Sequence, residues 1–191
     1  MRIGVFGGSF DPIHRGHLAV AAAAADRLSL DRVLFVPVRE QPLKRVGPVA
    51  SAEDRVAMLR AAIAGDPRFV VDEQELRRPG PSYTVDTLRA LHTAHPGDAL
   101  FLLIGADAAR AFPRWRDPEE IAGLATVVVL TRPGVRTPEH PLLAERLDVP
   151  ALDIAARDIR ARCRRGDPIE NLVPDAVARL IAERRLYTTE D

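Results

Sequence analysis

Short apolar runs alternate with longer segments of helical periodicity along the whole chain. Turn residues bound the apolar runs, and Val, Leu and Phe dominate several of them, which is typical of strands in the centre of a sheet. This alternation predicts an α/β fold in which helices cover a parallel sheet. The predicted strands are residues 2–6, 32–37, 69–73, 99–104, 126–130 and 150–154.

Helices are predicted between these strands from capping residues and apolar spacing. Ser51 and Asp54 form a box-like N-terminus for one helix, and Gly65 ends it. Thr84 begins another helix, which Pro96 and Gly97 stop. The remaining predicted helices are residues 16–28, a short segment after Pro118, 156–165 and 174–185. We expect one domain over residues 1–191, with an α/β core at 1–155 and a small C-terminal helical appendage at 156–191.

The composition is that of an ordinary globular protein. Apolar residues make up 47% of the 191 residues and charged residues 28%, so we expect the chain to fold unaided. Lys plus Arg equals Asp plus Glu at 27 each, so no overall positive field attracts nucleic acid or an anionic membrane. We therefore expect no nucleic acid and no membrane as partner, and any polyanionic ligand has to be held by a local site.

Cysteine content and the N-terminal residues bear on the cellular compartment. The single cysteine, Cys163, excludes an intramolecular disulfide and fits a reducing compartment. The N-terminal residues lack the features of a signal peptide, and the apolar stretch at residues 18–25 is too short to span a bilayer. These features predict a soluble, cytoplasmic protein and leave open whether it forms a homo-oligomer.

The most informative segment is GGSFDPIHRGH at residues 7–17, which lies directly between the first predicted strand and the first predicted helix. Gly7 and Gly8 leave backbone room for a ligand at the carboxyl end of a strand, where open α/β sheets bind their ligands. The helix that starts near Gly16 directs free N–H groups and its positive dipole end toward the same place. The segment therefore predicts a phosphate site, although neither GxGxxG nor a Lys-bearing Walker loop is present.

Two histidines, His14 and His17, stand three residues apart where this loop becomes a helix. Both rings can donate N–H bonds to phosphate oxygens. The alternatives are a metal pair and two buried structural histidines, but we find no complete set of metal ligands nearby. We therefore assign both histidines to phosphate and assign no residue to a metal.

This segment resembles the HxGH signature of the adenylyltransferase superfamily, and specifically that of the bacterial nicotinate mononucleotide adenylyltransferases. Further segments agree in order, and the likeness spans residues 1 to about 185. These segments are Lys44 after Pro37 and Pro42, PSYTVDTL at residues 81–88, GAD at 105–107 and Trp115. The resemblance implies a single nucleotidyltransferase domain with a Rossmann-like, doubly wound and mostly parallel sheet.

The resemblance also implies a reaction, adenylyl transfer from ATP to nicotinate mononucleotide, which gives nicotinate adenine dinucleotide and pyrophosphate in NAD biosynthesis. A phosphate oxygen of the mononucleotide attacks the α-phosphorus of ATP in line, and this nucleophile is already ionised at neutral pH. Since no side-chain base is needed, catalysis consists of positioning two anions and neutralising charge. Mg²⁺ is the expected cofactor, carried by the triphosphate and water without assigned protein ligands.

By resemblance, the site combines the backbone of the glycine-rich loop with cationic side chains and one aromatic ring. The catalytic residues are His14, His17, Lys44 and Arg160. The residues that bind ATP are Gly7, Gly8, Ser9, Phe10, His17, Gly105, Asp107, Ile159 and Arg160. The residues that bind the mononucleotide are Lys44, Ser82, Tyr83, Thr84 and Trp115.

Several of these residues have an ordinary interpretation when they are taken alone. Lys44 could be a solvated lysine, Asp107 a helix cap, and Trp115 a core or surface residue. By resemblance Lys44 bridges the two reacting phosphates, Asp107 accepts hydrogen bonds from ribose hydroxyls, and Trp115 stacks on the pyridine ring. Tyr83 and Thr84 open a predicted helix whose N–H groups could receive the nicotinate carboxylate.

The C-terminal segment departs from the family pattern. Members usually carry hydroxyl side chains before the final site helix, in the form I-S-S-T-x-I-R, whereas Ala155, Ala156 and Arg157 stand here. An aromatic residue that usually precedes Leu-Val-Pro is replaced by Asn171. We hypothesise that Arg157 substitutes by its charge for the missing hydroxyl contacts, the alternative being a solvated arginine face.

Other functions are compatible with parts of the pattern. The amide mononucleotide or phosphopantetheine could be the adenylyl acceptor in place of nicotinate mononucleotide. A catalytically weak nucleotide-binding protein would explain the replaced hydroxyls, although His14, His17, Lys44 and Arg160 are all present. A class I aminoacyl-tRNA synthetase shares a related histidine element, but this chain has no room for anticodon modules.

Overall fold

The computed structural model of the chain describes residues 1–42, 47–131, 137–150 and 152–188. It contains one sheet of six parallel strands in the order β3-β2-β1-β4-β5-β6. The strands are β1 (Arg2–Gly8), β2 (Arg32–Pro37), β3 (Phe69–Val71), β4 (Ala99–Gly105), β5 (Thr126–Thr131) and β6 (Glu145–Asp148). This is the doubly wound Rossmann order, and it confirms the predicted α/β fold class.

Helices connect the strands and cover both faces of the sheet. They are α1 (Arg15–Arg27), α2 (Ala52–Ile63), α3 (Gln74–Arg77), α4 (Thr84–Ala94), α5 (Ala106–Ala111), α6 (Pro118–Leu124), α7 (Ala156–Arg165) and α8 (Asp175–Glu183), with a 3₁₀ turn at Phe112–Arg114. The predicted start of α4 at Thr84 is confirmed. Within the described ranges, no helix is both long enough and apolar enough to cross a lipid bilayer.

Apolar side chains alternate between the two faces of the central strands. In β2, Val33 and Phe35 belong to one core, whereas Leu34 and Val36 belong to the other. Helices α1, α2, α7 and α8 pack on the first core, and α4, α5 and α6 pack on the second. The two C-terminal helices therefore share a core with the helix that follows the glycine-rich loop, and this packing brings Tyr187, after α8, to Asp11 in that loop.

The predicted strand at residues 150–154 is wrong. The sixth strand is Glu145–Asp148, which pairs with β5 at the edge of the sheet, and only Leu147 in it is buried. Its stability comes from hydrogen bonds to β5, because a strand of charged residues carries no apolar run. The short helices α3 and α5 were also not predicted, since one or two turns show no measurable helical periodicity.

Candidate active site

The loop between β1 and α1 lies at the carboxyl edge of the sheet. β1 pairs with β2 on one side and with β4 on the other, so the chain winds in opposite directions from this point. Open α/β sheets bind ligands in the crevice that such a reversal creates. The glycine-rich segment therefore stands where the topology leaves room for a ligand.

Phe10 fixes the course of this loop. Its φ of +46° is in the left-handed region, which a bulky side chain adopts at a cost of about 1–3 kcal/mol. The ring is only 1% exposed and packs against Phe6 and Phe35, with centroids 5.7 Å from each. A Cβ on Gly8 would stand 3.1 Å from the same ring, so the loop needs glycine there. The Phe10 side chain therefore belongs to the core.

His14 and His17 form a stacked pair at the start of α1. Their ring centroids are 3.7 Å apart and their planes differ by 25°. The backbone N–H of His14 donates to Nδ1 of His17 at 3.3 Å, so the neutral His17 ring carries its proton on Nε2. Burial, and secondarily the proximity of His14, lower the pKa of His17 well below its ordinary value. His17 is therefore a neutral hydrogen-bond donor at neutral pH.

Gly16 lies between the two histidines in the first turn of α1. A Cβ at this position would stand 3.0 Å from Nδ1 and 3.1 Å from Cε1 of His14. These separations are shorter than ordinary van der Waals contact, so any larger residue has to displace the imidazole. The glycine of the HxGH pattern therefore keeps the His14 ring in place.

A cavity of about 230 Å³ lies against the histidine pair. Its lining combines the two imidazoles with an apolar wall from α1 and from the segment before α7. The lining residues are Phe6, His14, Gly16, His17, Val20, Pro150, Leu152 and Ile154. Small-molecule sites typically pair an apolar wall with a few polar groups in this way.

Asp11 was not predicted as a site residue, and it links the loop to two distant segments. Its buried carboxylate accepts hydrogen bonds from the backbone N–H groups of Val49 and Ala50, at 2.7 and 3.1 Å. It also accepts one from the Tyr187 hydroxyl at 2.8 Å. Asp11 lies inside the segment that the sequence singles out, but nothing local indicates that its partners come from residues 49–50 and from the C-terminus.

Two arginines hold backbone carbonyls of the same loop. Arg160 in α7 donates to the Asp11 carbonyl oxygen at 2.7 Å, so the fold places this predicted residue against the loop. Arg55 in α2 is buried and donates to the Ser9 carbonyl oxygen at 2.8 Å. Burial lowers the pKa of Arg55, although Asp11 acts in the opposite direction. The sequence analysis did not predict Arg55 as a site residue. Its burial could have been inferred from its position on the same helical face as Leu59 and Ile63.

Gly105 and Asp107 stand at the end of β4, beside the end of β1. Gly105 is the N-cap residue of α5, and Asp107 follows in the first turn without a capping hydrogen bond. The helix-cap interpretation of Asp107 is therefore wrong. Its exposed carboxylate pairs with Arg110 one turn later. This carboxylate therefore lies just beyond the carboxyl end of β4.

The predicted mononucleotide residues lie on the opposite face, at the rim of the second core. Ser82 is buried and accepts a hydrogen bond from the Arg39 backbone N–H at 3.0 Å, which joins the start of α4 to the end of β2. Tyr83 is the N-cap residue of α4, and its ring lies under the Arg116 guanidinium at 4.8 Å. Trp115 is partly buried, and it packs on Phe112 with centroids 5.4 Å apart.

Glu75 in α3 packs beside the start of α4, where the predicted mononucleotide residues lie. The sequence alone did not indicate this role. The buried carboxylate accepts a hydrogen bond from the Thr87 hydroxyl of α4 at 2.7 Å. Burial raises the pKa of Glu75, while hydrogen bonds from Thr87 and Ser82 act in the opposite direction. Glu75 thus ties α3 to the start of α4.

The remaining predicted residues divide into three groups. Ile159 is fully buried, so its side chain fills the core beneath α7. Ala155 is the N-cap residue of α7 and has no side-chain cap, and Arg157 is 83% exposed beside Asp158. Lys44 lies outside the described residues. In the described ranges, no group of three or more His, Cys, Asp or Glu side chains is placed to hold a metal ion.

Comparison with known proteins agrees with this geometry. Residues 5–165 match the cytidylyltransferase-like family. The chain is 47% identical to the probable nicotinate-nucleotide adenylyltransferase of Corynebacterium kroppenstedtii, over 97% of this chain and 90% of the relative. It is 49% identical to that of Thermus thermophilus, over 98% of this chain and all of the relative.

A solved structure shows the same fold at lower sequence similarity. The nicotinic acid mononucleotide adenylyltransferase of Plasmodium falciparum, solved in complex with NaAD, superimposes with a TM-score of 0.79. The alignment covers 99% of this chain and 98% of that one at 18% identity, so it supports the architecture alone. By the family match and the two curated relatives, the chain belongs to the cytidylyltransferase-like family, among its nicotinate-nucleotide adenylyltransferases.

Proposed function

We propose that the protein transfers the adenylyl group of ATP to nicotinate mononucleotide, giving nicotinate adenine dinucleotide and pyrophosphate. A phosphate oxygen of the mononucleotide forms a bond to the α-phosphorus of ATP. The bond from that phosphorus to the oxygen bridging to the β-phosphorus breaks, and its electrons leave with pyrophosphate. The attacking oxygen is already ionised, so no proton has to be removed by the protein.

The observation that carries this proposal is the convergence of the histidine pair and Arg160 on one loop. His14 and His17 stack beside a cavity, and Arg160 is bound to the loop three residues before His14. Two anions repel each other, so the protein has to supply donors and positive charge where they meet. Imidazole N–H and guanidinium N–H groups supply both.

On the ATP side, we assign His17 to the developing charge on the triphosphate and Arg160 to its phosphate oxygens. The Nε2–H of His17 is the available donor, since Nδ1 accepts the His14 backbone N–H. A bound triphosphate favours the protonated form of either ring, which offsets the effect of burial. The backbone of Gly7 to Phe10 lies next to these groups at the end of β1.

On the acceptor side, we assign the start of α4 and the ring of Trp115 to the nicotinate base. The first N–H groups of a helix favour a carboxylate over an amide. Trp115 supplies a flat surface for the pyridine ring, and Ser82 holds the start of α4 against the end of β2. We also propose that Lys44 joins the two reacting phosphates.

A divalent cation is expected to accompany the triphosphate, and we propose Mg²⁺. The described residues do not form a ligand set for a resident ion, and both carboxylate oxygens of Asp11 already accept hydrogen bonds. Mg²⁺ retains water and phosphate ligands readily, so it fits an ion that arrives with ATP. The single Cys163 is consistent with a reducing cytoplasm as the site of the reaction.

A pyrophosphate-release assay with ATP and Mg²⁺ tests the proposal. Nicotinate mononucleotide, its amide and phosphopantetheine are offered separately, and the dinucleotide product is identified by mass. We expect release with nicotinate mononucleotide at a kcat/KM well above that with the amide. Preferred release with another acceptor would overturn the assigned substrate, and release with none of the three would overturn adenylyl transfer.

A further inference from the structure

Tyr187, which follows α8, contacts the loop between β1 and α1. It is buried and adopts a left-handed φ of +62° that brings its ring into the first core. Its hydroxyl donates to Oδ1 of Asp11 at 2.8 Å, across 176 residues of sequence. Burial and the Asp11 carboxylate raise the pKa of Tyr187 far above its ordinary value. The hydroxyl therefore remains a donor throughout the range in which the protein is assayed.

Arg160 also contacts Asp11, but it hydrogen-bonds to the backbone carbonyl and not to the carboxylate. Its Nη1 donates to the Asp11 carbonyl oxygen, while Oδ2 of the carboxylate is 3.9 Å away, beyond hydrogen-bond distance. The Arg160 side chain is 25% exposed, so part of the guanidinium faces the crevice. In the described ranges, the Asp11 carbonyl is the only hydrogen-bond partner of this guanidinium. Its other N–H groups are left for a phosphate.

The Asp11 carboxylate and a phosphate compete for Arg160. With donors from Val49, Ala50 and Tyr187, the buried carboxylate is already satisfied. Removing the Tyr187 hydroxyl would leave a lone pair on Oδ1 without its donor, which is costly in a buried site. A guanidinium satisfies a carboxylate with two parallel hydrogen bonds, so Arg160 would be drawn into a full ion pair.

The second arginine near Asp11 is less able to respond. Arg55 is 2% exposed, and its guanidinium is bound to the Ser9 carbonyl oxygen. Turning it toward Asp11 would break that bond and displace the loop. Arg160 is partly exposed and stands at the edge of ion-pair distance, so its rotation requires the smaller rearrangement.

We propose that Tyr187 is a positioning residue for adenylyl transfer: its hydroxyl satisfies the Asp11 carboxylate and thereby keeps the Arg160 guanidinium available to the phosphates of ATP. This inference rests on the role assigned to Arg160 in the proposed function. The turn after α8 then positions a phosphate ligand, although Tyr187 itself is not assigned to a substrate.

A double-mutant cycle between Tyr187 and Arg160 tests the inference. Tyr187→Phe retains the buried ring and removes only the hydroxyl. We expect the KM for ATP to rise about tenfold or more, as for the loss of a hydrogen bond to a charged group. The KM for nicotinate mononucleotide should change less than about twofold, because its base is assigned to the start of α4 and Trp115, away from Asp11 and Arg160. In an Arg160→Ala background, Tyr187→Phe should have no further effect on the KM for ATP.

The matched control is Arg184→Ala. Arg184 pairs with Asp54 at 2.7 Å, and so ties the end of α8 to α2 without contacting Asp11. We expect this variant to lower the melting temperature and to leave the KM for ATP unchanged. If Tyr187→Phe folds poorly, Tyr187→Leu enters the same cycle, because leucine also lacks a hydrogen-bond donor and the result depends on the difference between the two backgrounds.

The possible outcomes separate this inference from the proposed function. An equal effect of Tyr187→Phe with and without Arg160 would show general loosening of the loop and would overturn the inference. An unchanged KM for ATP in Tyr187→Phe would overturn it as well. Failure of the wild-type protein to release pyrophosphate from ATP would instead overturn the proposed function. An unchanged KM for ATP in Arg160→Ala would remove the role of Arg160, and the inference with it.

Discussion

The imidazole rings of His14 and His17 stack with their centroids 3.7 Å apart, and the backbone N–H of His14 donates to Nδ1 of His17. Two charged imidazoles at this distance repel each other, so the pair cannot readily carry two protons. The hydrogen bond to Nδ1 leaves the Nε2–H of the neutral His17 ring for a ligand. The first turn of α1 thus fixes the orientation of the His17 Nε2–H donor before a nucleotide binds.

His17→Asn should lower kcat by about 100-fold or more, in line with the loss of one transition-state donor. The amide oxygen can still accept the His14 N–H, so the helix start should remain intact, but nothing replaces Nε2. Steady-state kinetics and thermal melting check both expectations. His92→Asn is the control, since this exposed histidine lies on α4 away from the loop. A kcat within about threefold of the wild type would contradict the role of His17.

Because of His17, the free energy of unfolding should decrease as the pH is lowered below about 6.5. Its pKa is lower in the folded protein than in the unfolded chain, so only the unfolded chain binds a proton just below pH 6.5. The stabilising contribution is complete above pH 6.5 and is lost as pH falls toward the folded pKa, by up to about 1.4 kcal/mol per pH unit. Urea unfolding between pH 5 and pH 7.5 should show a shallower dependence for His17→Asn, and parallel curves would exclude the effect.

Gly16→Ala should impair catalysis more than stability. The added methyl group would stand 3.0 Å from Nδ1 of His14 and force that ring to shift by a few tenths of an ångström, whereas alanine favours the helix itself. Gly123→Ala in α6 is the matched control, because a Cβ there meets no atom within 4 Å. We expect kcat/KM to fall at least about tenfold for Gly16→Ala, through loss of geometry at the reacting phosphates. For Gly123→Ala it should be unchanged, and equal activity of the two variants would refute the packing argument.

Arg157→Ala should raise the KM for ATP if this arginine compensates for the missing hydroxyl side chains at the start of α7. The side chain is 83% exposed and pairs only loosely with Asp158, at 3.5 Å, so it is available to a phosphate. Because exposed charge pairs contribute about 0.2–1 kcal/mol, the increase should be about two- to fivefold. Arg164→Ala, exposed near the end of the same helix, should leave the KM for ATP unaltered. An unaltered value for Arg157→Ala would dispose of the compensation hypothesis.

The Glu75→Gln variant should gain stability relative to the wild-type protein as the pH rises. Burial raises the pKa of Glu75 in the folded state, so its stabilising contribution is complete below the unfolded pKa and is lost as pH rises through the folded pKa. Glutamine retains an acceptor for the Thr87 hydroxyl and carries no charge. Denaturation at pH 5 and pH 8 should therefore show a growing advantage of the variant, which a constant difference would rule out.

Much of the fold followed from local patterns. Five of the six strands are apolar runs, and four of these, β1, β2, β4 and β5, lie inside the sheet, where burial on both faces requires Val, Leu, Ile and Phe. The fifth, β3, lies at the edge of the sheet and is apolar all the same. The sixth strand was misplaced because Glu145–Asp148 is an edge strand, in which hydrogen bonds to β5 replace apolar burial. Helix α5 was not predicted because six residues are too few to show helical periodicity of apolar positions.

The sequence by itself determined the chemistry of the site, since a glycine-rich turn and two spaced histidines are local and keep their spacing in any fold. Only the tertiary structure decided what supports that chemistry: Tyr187 and Arg160 at Asp11, and Arg55 at Ser9. These partners are 46 to 176 residues apart in sequence. Their pairing depends on which helices share a core, and a buried polar group then has to find its partner among whatever that packing brings near.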